Sequence, residues 1–130
     1  MSRNTKLTPV EWEIMSTLWE LKKSSSVRDV CNAAYPNGEK AYTTIQTIMN
    51  TLEKKGVLKR EKIGLVNFYT PQKSREKIIR SEMTQVVSRM FEGSVPAMAN
   101  FLINTENLSL DELKEIKSIL DKKEKALRSK

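Results

Sequence analysis

The sequence predicts a mainly α-helical protein carrying one small β-hairpin, and three observations lead there. Apolar residues recur at helical spacing in six separate segments. Two short runs rich in β-branched and aromatic residues, 58–63 and 66–70, flank a glycine, and no strand pattern returns after residue 74. Finally, Ser or Thr stands just ahead of several of the helical segments, twice with Glu three residues later.

Thr8-Pro9-Val10-Glu11 opens the first helix. Thr8 suits the cap, Pro9 the first helical position, and Glu11 completes a capping box. Val10, Trp12, Ile14, Met15, Leu18, Trp19 and Leu21 then cover most of its surface, so both tryptophans read as core packing. Ser24-Ser25-Ser26 breaks the helix, and Ser26 caps a short second one from Val27 to Ala34. There Cys31 falls on the same face as Val27 and Val30 and reads as a small core residue. Pro36-Asn37-Gly38 is a turn. A third helix runs from about Ala41 to Lys55, with Gly56 placed for a left-handed C-cap. The strands Leu58–Ile63 and Val66–Thr70 follow around Gly64, and Pro71 closes the second.

From Ser74 the chain is helical again. Ile78, Ile79, Met83, Val86, Val87, Met90 and Phe91 make a broad stripe, broken by Gly93-Ser94. A short helix follows over 95–104. Ser109 and Glu112 cap a last one whose stripe is Leu113, Ile116, Ile119, Leu120 and Leu127. Three helices of this length carry more apolar surface than they cover by folding on one another, which predicts pairing with a second copy. The expected interface residues are Ile79, Met83, Val87, Met90, Leu102, Leu113, Ile116 and Leu120. Three helices and a hairpin are the plan of a winged helix-turn-helix, placed at 1–72, with a helical dimerisation arm at 73–130.

The third helix is the most informative segment. Tyr42, Ile45, Ile48, Met49 and Leu52 gather on one side, while Thr43, Thr44, Gln46, Thr47, Asn50 and Thr51 gather on the other. At ~100° per residue the apolar arc spans about 120° and the polar arc about 160°. An ordinary solvated face carries mixed Glu and Lys, which are good helix formers and pair with one another. Short hydroxyls and amides are poorer helix formers but suit base edges and phosphate oxygens. Residues 54–62 then hold five basic side chains against Glu61 alone. The arrangement predicts a helix entering the major groove of double-stranded DNA. Thr43, Thr44 and Thr47 would meet phosphates or thymine methyls, and Gln46 and Asn50 base edges. Lys54, Lys55, Arg60 and Lys62 would hold phosphates, with Tyr42 divided between core packing and a phosphate contact.

Composition narrows the alternatives. The net charge of +7 and pI near 9.6 favour a polyanionic partner, and the excess is shared between the halves, +4 over 1–72 and +3 over 73–130. With no histidine and one cysteine, the usual zinc sites and Cys-His or Ser-His-Asp nucleophiles have no residues to build them, so neither enzyme, metal nor cofactor is expected. A lone cysteine, no apolar core for a signal peptide in MSRNTKLTP and no run of ~18 apolar residues predict a cytoplasmic protein away from membranes. Two other readings remain. One is a basic interaction module docking an acidic protein, disfavoured by the lack of apolar anchors over 43–51. The other is a small-molecule-responsive regulator with a ligand in a dimer cleft near Met83, Met90 and Met98.

At AYTTIQTIMNTLEKKGVLKRE, with LTPVEWEIMSTLWE before it and LSLDELKEIKSIL after it, the chain resembles the penicillinase-repressor (BlaI/MecI/CopY) family of bacterial transcriptional repressors. The resemblance covers nearly the whole chain. It implies a homodimer on a palindromic operator, with half-sites one or more helical turns of ~34 Å apart. β-Lactam-responsive members are inactivated by a sensor protease that cuts an Asn-Phe bond in the dimerisation arm, and Asn100-Phe101 stands at the matching place, although Pro96 and Met98 depart from that branch's pattern. The family thus implies control of antibiotic-resistance genes. Its copper-responsive branch senses metal through a C-terminal cysteine cluster, and this chain has no cysteine after Cys31.

Overall fold

The computed structural model describes residues 6–130, so the reading of residues 1–5 lies outside it. Six helices and one hairpin follow in order: α1 Pro9–Leu21, α2 Val27–Ala34, α3 Tyr42–Lys54, β1 Leu58–Ile63, β2 Val66–Pro71, α4 Arg75–Met90, α5 Val95–Thr105 and α6 Leu110–Arg128. The caps are where the sequence put them. Thr8 with Glu11 and Ser109 with Glu112 form reciprocal capping boxes, and Ser26 forms a further one with Asp29. Each satisfies amides at the helix start that have no intrahelical partner.

The chain divides into two compact units, one ending at Gln85 and one running from Val86 to Lys130. In the first, α1, α2 and α3 enclose a core of Ile14, Met15, Leu18, Val30, Ile45, Met49 and Leu52, each fully buried. Burial of each such side chain contributes about 1.5–3 kcal/mol. Val57, Leu58 and Tyr69 carry this core into the hairpin. Ile78 extends it into α4, so this unit continues past residue 72, where the composition changes. Trp12 and Trp19 are half-buried against the core and meet edge to face at 5.7 Å, and the Trp19 indole donates to the Lys73 carbonyl at 3.0 Å.

The hairpin is antiparallel, pairing Arg60 with Tyr69, Lys62 with Asn67 and Ile63 with Val66 across the two-residue turn Gly64-Leu65. Gly64 adopts φ +64°, which a side chain would strain. Ser25, fully buried, exchanges both backbone hydrogen bonds with Tyr69 at 3.0 and 2.8 Å, adding a one-residue bridge to the sheet. This is a winged helix with the hairpin as its wing.

In the second unit neither α5 nor α6 contains a buried residue. Phe91 and Phe101 meet at 5.8 Å, and Phe101, Leu102, Leu113, Ile119, Leu120 and Leu127 are exposed.

Candidate nucleic-acid interface

Helix α3 starts without a side-chain cap, because Ala41 occupies the N-cap, and its two sides differ completely. Ile45, Met49 and Leu52 are 0 % exposed, whereas Thr43, Thr44, Thr47, Thr51 and Lys54 are exposed and Gln46 and Asn50 half-buried. The threonines differ in what they offer a partner. Thr47 donates its hydroxyl to the Thr43 carbonyl, and Thr51 to the Thr47 carbonyl, both at 3.0 Å. That leaves Thr47 with lone pairs and a methyl group for an incoming partner, not a hydroxyl proton.

Several residues of the expected contact set are engaged within the chain, Lys55 and Asn50 most firmly. Lys55 donates to both carboxylate oxygens of Glu11, at 2.8 and 3.0 Å, and reaches the Lys6 carbonyl at 3.4 Å. Glu11 is buried and also accepts from the Thr8 amide, so one carboxylate caps α1 and anchors the end of α3. Asn50 accepts from the Tyr69 hydroxyl at 2.7 Å, which ties α3 to the wing. Burial pushes the Tyr69 phenol up from its ordinary pKa of 10.0, while Arg60 opposite it on β1 pulls the other way. The Tyr35 phenol is also pushed up, by burial and then by the Glu13 carboxylate, to which it donates at 2.6 Å.

Strand periodicity sorts the basic residues of the wing. Side chains alternate between the faces of a strand, and directly paired residues share one. Arg60 and Lys62 therefore lie on the face of buried Tyr69, together with Asn67, whereas Lys59 and Glu61 lie on the other face. The acid and the base that offset each other are on one side. Arg60 and Lys62, with no acid on their face of the wing strands, are on the side that carries Tyr69 and its bond to α3. Lys54 adds an exposed ammonium in the last turn of α3.

A cleft of about 130 Å³ lies among α2, α3 and the wing, lined by Val27, by Tyr42 and Gln46, and by Leu65, Val66, Asn67 and Tyr69. Tyr42 is 39 % exposed, and the Arg28 guanidinium stands 4.9 Å above its ring. Arg28 and Asn67 were not singled out by the sequence, since neither belongs to α3 or to the basic run. Their placement depends on how α2 and β2 meet α3.

The sequence profile of the penicillinase repressor family matches residues 7–122. The chain belongs to the penicillinase repressor family. Among its relatives is the methicillin resistance regulatory protein MecI of Mammaliicoccus sciuri, 25% identical over 94% of this chain and 98% of that protein. The penicillinase repressor of Bacillus licheniformis is 26% identical over 93% and 94%, and the transcriptional regulator BlaI of Mycobacterium tuberculosis is 25% identical over 92% and 86%. Membership makes the chain a DNA-binding transcriptional repressor, not an enzyme. Among the described residues there is no cluster of His, Cys, Asp and Glu able to hold a metal ion, and no helix long and apolar enough to cross a membrane.

For the remaining sites expected in this family member, Asn100 and Phe101 are both exposed on α5, away from its ends. The Asn104 amide donates to the Asn100 carbonyl at 2.9 Å and also bonds the Asn100 side-chain oxygen. Of the expected dimer residues, Met83, Met90, Leu102, Leu113 and Leu120 are exposed in the single chain, and Ile79, Val87 and Ile116 are half-buried.

Proposed function

We propose that this repressor acts in the cytoplasm as a homodimer on a palindromic operator, with residues 1–72 presenting the DNA-reading surface and the chain from residue 73 holding two copies together. The observation that carries the reading is the sorting of α3: a stripe fully buried in its own unit behind an outer face of exposed threonines and half-buried Gln46 and Asn50. Thr43 and Thr44 donate to phosphate oxygens or pack on thymine methyls, Thr47 offers its methyl and lone pairs, and Gln46 reads a base edge. Tyr42, Lys54, Arg60 and Lys62 hold phosphates, while Lys55 and Asn50 brace α3 from behind. The second unit supports pairing, since α6 has nineteen residues and none is buried.

The relatives named for penicillinase and methicillin resistance support a β-lactam resistance operon as the target, with release by a sensor protease cutting Asn100–Phe101. That peptide bond lies within α5, whose carbonyls are held in helical hydrogen bonds, so cutting requires α5 to open locally. An eleven-residue helix has little stability of its own, which makes opening accessible. Each winged domain alone binds weakly, and linkage in a dimer raises affinity by roughly 10²–10⁴.

A gel shift tests the reading, using the chain's own promoter fragment and a scrambled one at two salt concentrations. Retention that is salt-sensitive, prefers the promoter and follows dimer concentration is expected. Equal retention of both fragments would remove the sequence-specific claim. No retention at low salt would instead favour an acidic protein partner. Co-expression with the cognate sensor and addition of a β-lactam should yield a fragment ending at Asn100; an intact chain that still leaves the promoter would refute cleavage.

A further inference from the structure

Three consecutive residues ahead of α1 bond to elements far away in the sequence. The Leu7 amide donates to the Glu82 carboxylate of α4 at 3.4 Å, and the Leu7 side chain is buried. One residue earlier, the Lys6 carbonyl accepts from the Lys55 ammonium at 3.4 Å. One residue later, the Thr8 amide donates to Glu11 at 2.9 Å, and Glu11 accepts from Lys55 in turn. The strap 6–8 thus joins α4 to the C-cap of α3 through an unbroken run of hydrogen bonds. Glu11 is buried and Glu82 half-buried, and a carboxylate drawn out of water is fixed by the donors that meet it.

Helix α4 is anchored to the first unit at three places. The Trp19 indole holds the Lys73 carbonyl just before the helix, Ile78 enters the core, and Glu82 follows one turn later on the same face. Glu82 is the last of these anchors before the unit ends at Gln85, while α4 itself continues to Met90. We propose that Glu82 is a positioning residue that determines which half-site spacing the repressor accepts, by locking the direction of α4 to the end of α3 through Leu7, Glu11 and Lys55. This role rests on the dimeric reading given above. Without Glu82 the last anchor is Ile78, and the helix from there to Met90 is about 18 Å long. A tilt of about 10° then displaces Met90 by about 3 Å, close to the ~3.4 Å rise of one base pair. Glu82 has the wrong charge for a phosphate ligand, so its effect on DNA binding is carried by position alone.

The test uses the full chain and a duplex that it selects from a random-sequence library, remade with the half-sites one, two or three base pairs closer or farther apart. A one-base-pair shift should cost the wild type roughly 10²-fold, as linkage between the two sites is lost. Glu82→Ala should bind the selected duplex about three- to tenfold more weakly, the scale of one hydrogen bond, and lose less than about tenfold on the same shift. Glu82→Gln keeps an acceptor for the Leu7 amide and should restore the narrow spacing profile. Affinity for a single half-site and the salt slope should stay at wild-type values in Glu82→Ala, because no phosphate contact is removed. Lys55→Met cuts the other end of the run and should broaden the profile in the same way. The double variant should be no broader than either single one, since links in series fail once. Glu76→Ala removes an equal charge from the exposed first turn of α4 and should leave the profile narrow. The role of Glu82 is overturned by a narrow profile in Glu82→Ala, by equal weakening at every spacing, by broadening that adds in the double variant, or by equal broadening in Glu76→Ala. A wild type that binds single half-sites as tightly as paired ones overturns the dimeric reading itself, and this role with it.

Discussion

Helices α3 and α6 are built on the same pattern and end in opposite situations. Both are amphipathic, at thirteen and nineteen residues. In α3 the stripe Ile45, Met49 and Leu52 is 0 % exposed within its own unit, while in α6 Leu113, Ile119, Leu120 and Leu127 are all exposed. Their polar sides differ as well: threonine, glutamine and asparagine on α3, lysine and glutamate on α6. A periodic stripe states only that an apolar surface must be covered, not by what. The polar side supplies the rest. A face of Lys and Glu, with Glu124 and Arg128 paired at 3.4 Å, is built to stay in water, which leaves the apolar side of α6 as the one still to be covered. A face of short hydroxyls forms no ion pairs with itself and is suited to hydrogen bonding with nucleic acid.

Substitutions on each helix sharpen this contrast. Met49→Ala opens a cavity in a closed core and should lower unfolding free energy by about 2–5 kcal/mol at any protein concentration, measured by chemical denaturation. Leu120→Asp should leave unfolding of the winged domain unchanged but raise the dimer dissociation constant on the order of 10²-fold, since a charge would enter a desolvated interface. Sedimentation over a concentration series reads this directly. A dimer indifferent to Leu120→Asp would break the comparison, because α6 would then need a different cover.

Smaller effects separate a base that braces the fold from a base assigned to DNA. Lys55→Met should cost about 1–3 kcal/mol of stability, because it leaves buried Glu11 without its partner, and should leave the salt slope of DNA binding unaltered. Lys62→Ala should do the reverse, with little change in stability and a slope lower by about one unit. Tyr69→Phe should remove about 1 kcal/mol by deleting the bond to Asn50. It should also change the alkaline behaviour. The Tyr69 pKa is raised in the folded chain, so the neutral phenol's contribution is complete below pH 10 and declines as pH rises beyond it. Denaturation midpoints above pH 10 should therefore fall less steeply for the variant than for the wild type.

Most of the fold was legible in the sequence because its signals are local. The capping pairs Thr8–Glu11 and Ser109–Glu112, the stripe of α3 and the glycine at the wing turn each act within a few residues. What escaped depends on distant pairing. Glu11 and Lys55 are 44 positions apart, and nothing in either neighbourhood announces the other. Lys55 therefore reads as one more base in a basic run. Ser25 looks like part of a serine-rich break, yet its backbone completes the sheet against Tyr69. Asn50 shares the polar arc with the threonines, and only the position of the wing directs it toward Tyr69. The site was legible as a helix face and a charge density. The cleft that joins α3 to the wing required the tertiary structure.

The wing also carries a parity rule. Leu58 and Tyr69 anchor the two strands in the core, and every side chain beyond them is assigned to a face by counting in twos. One extra residue after Leu58 would bring Lys59 and Glu61 to the face now held by Arg60 and Lys62, without altering a single charge in the sequence. Composition and net charge would register only the added residue, yet the inner face would become neutral. Natural variation in wing length should therefore come in even steps along each strand, and an odd step should silence the wing as surely as removing its arginine.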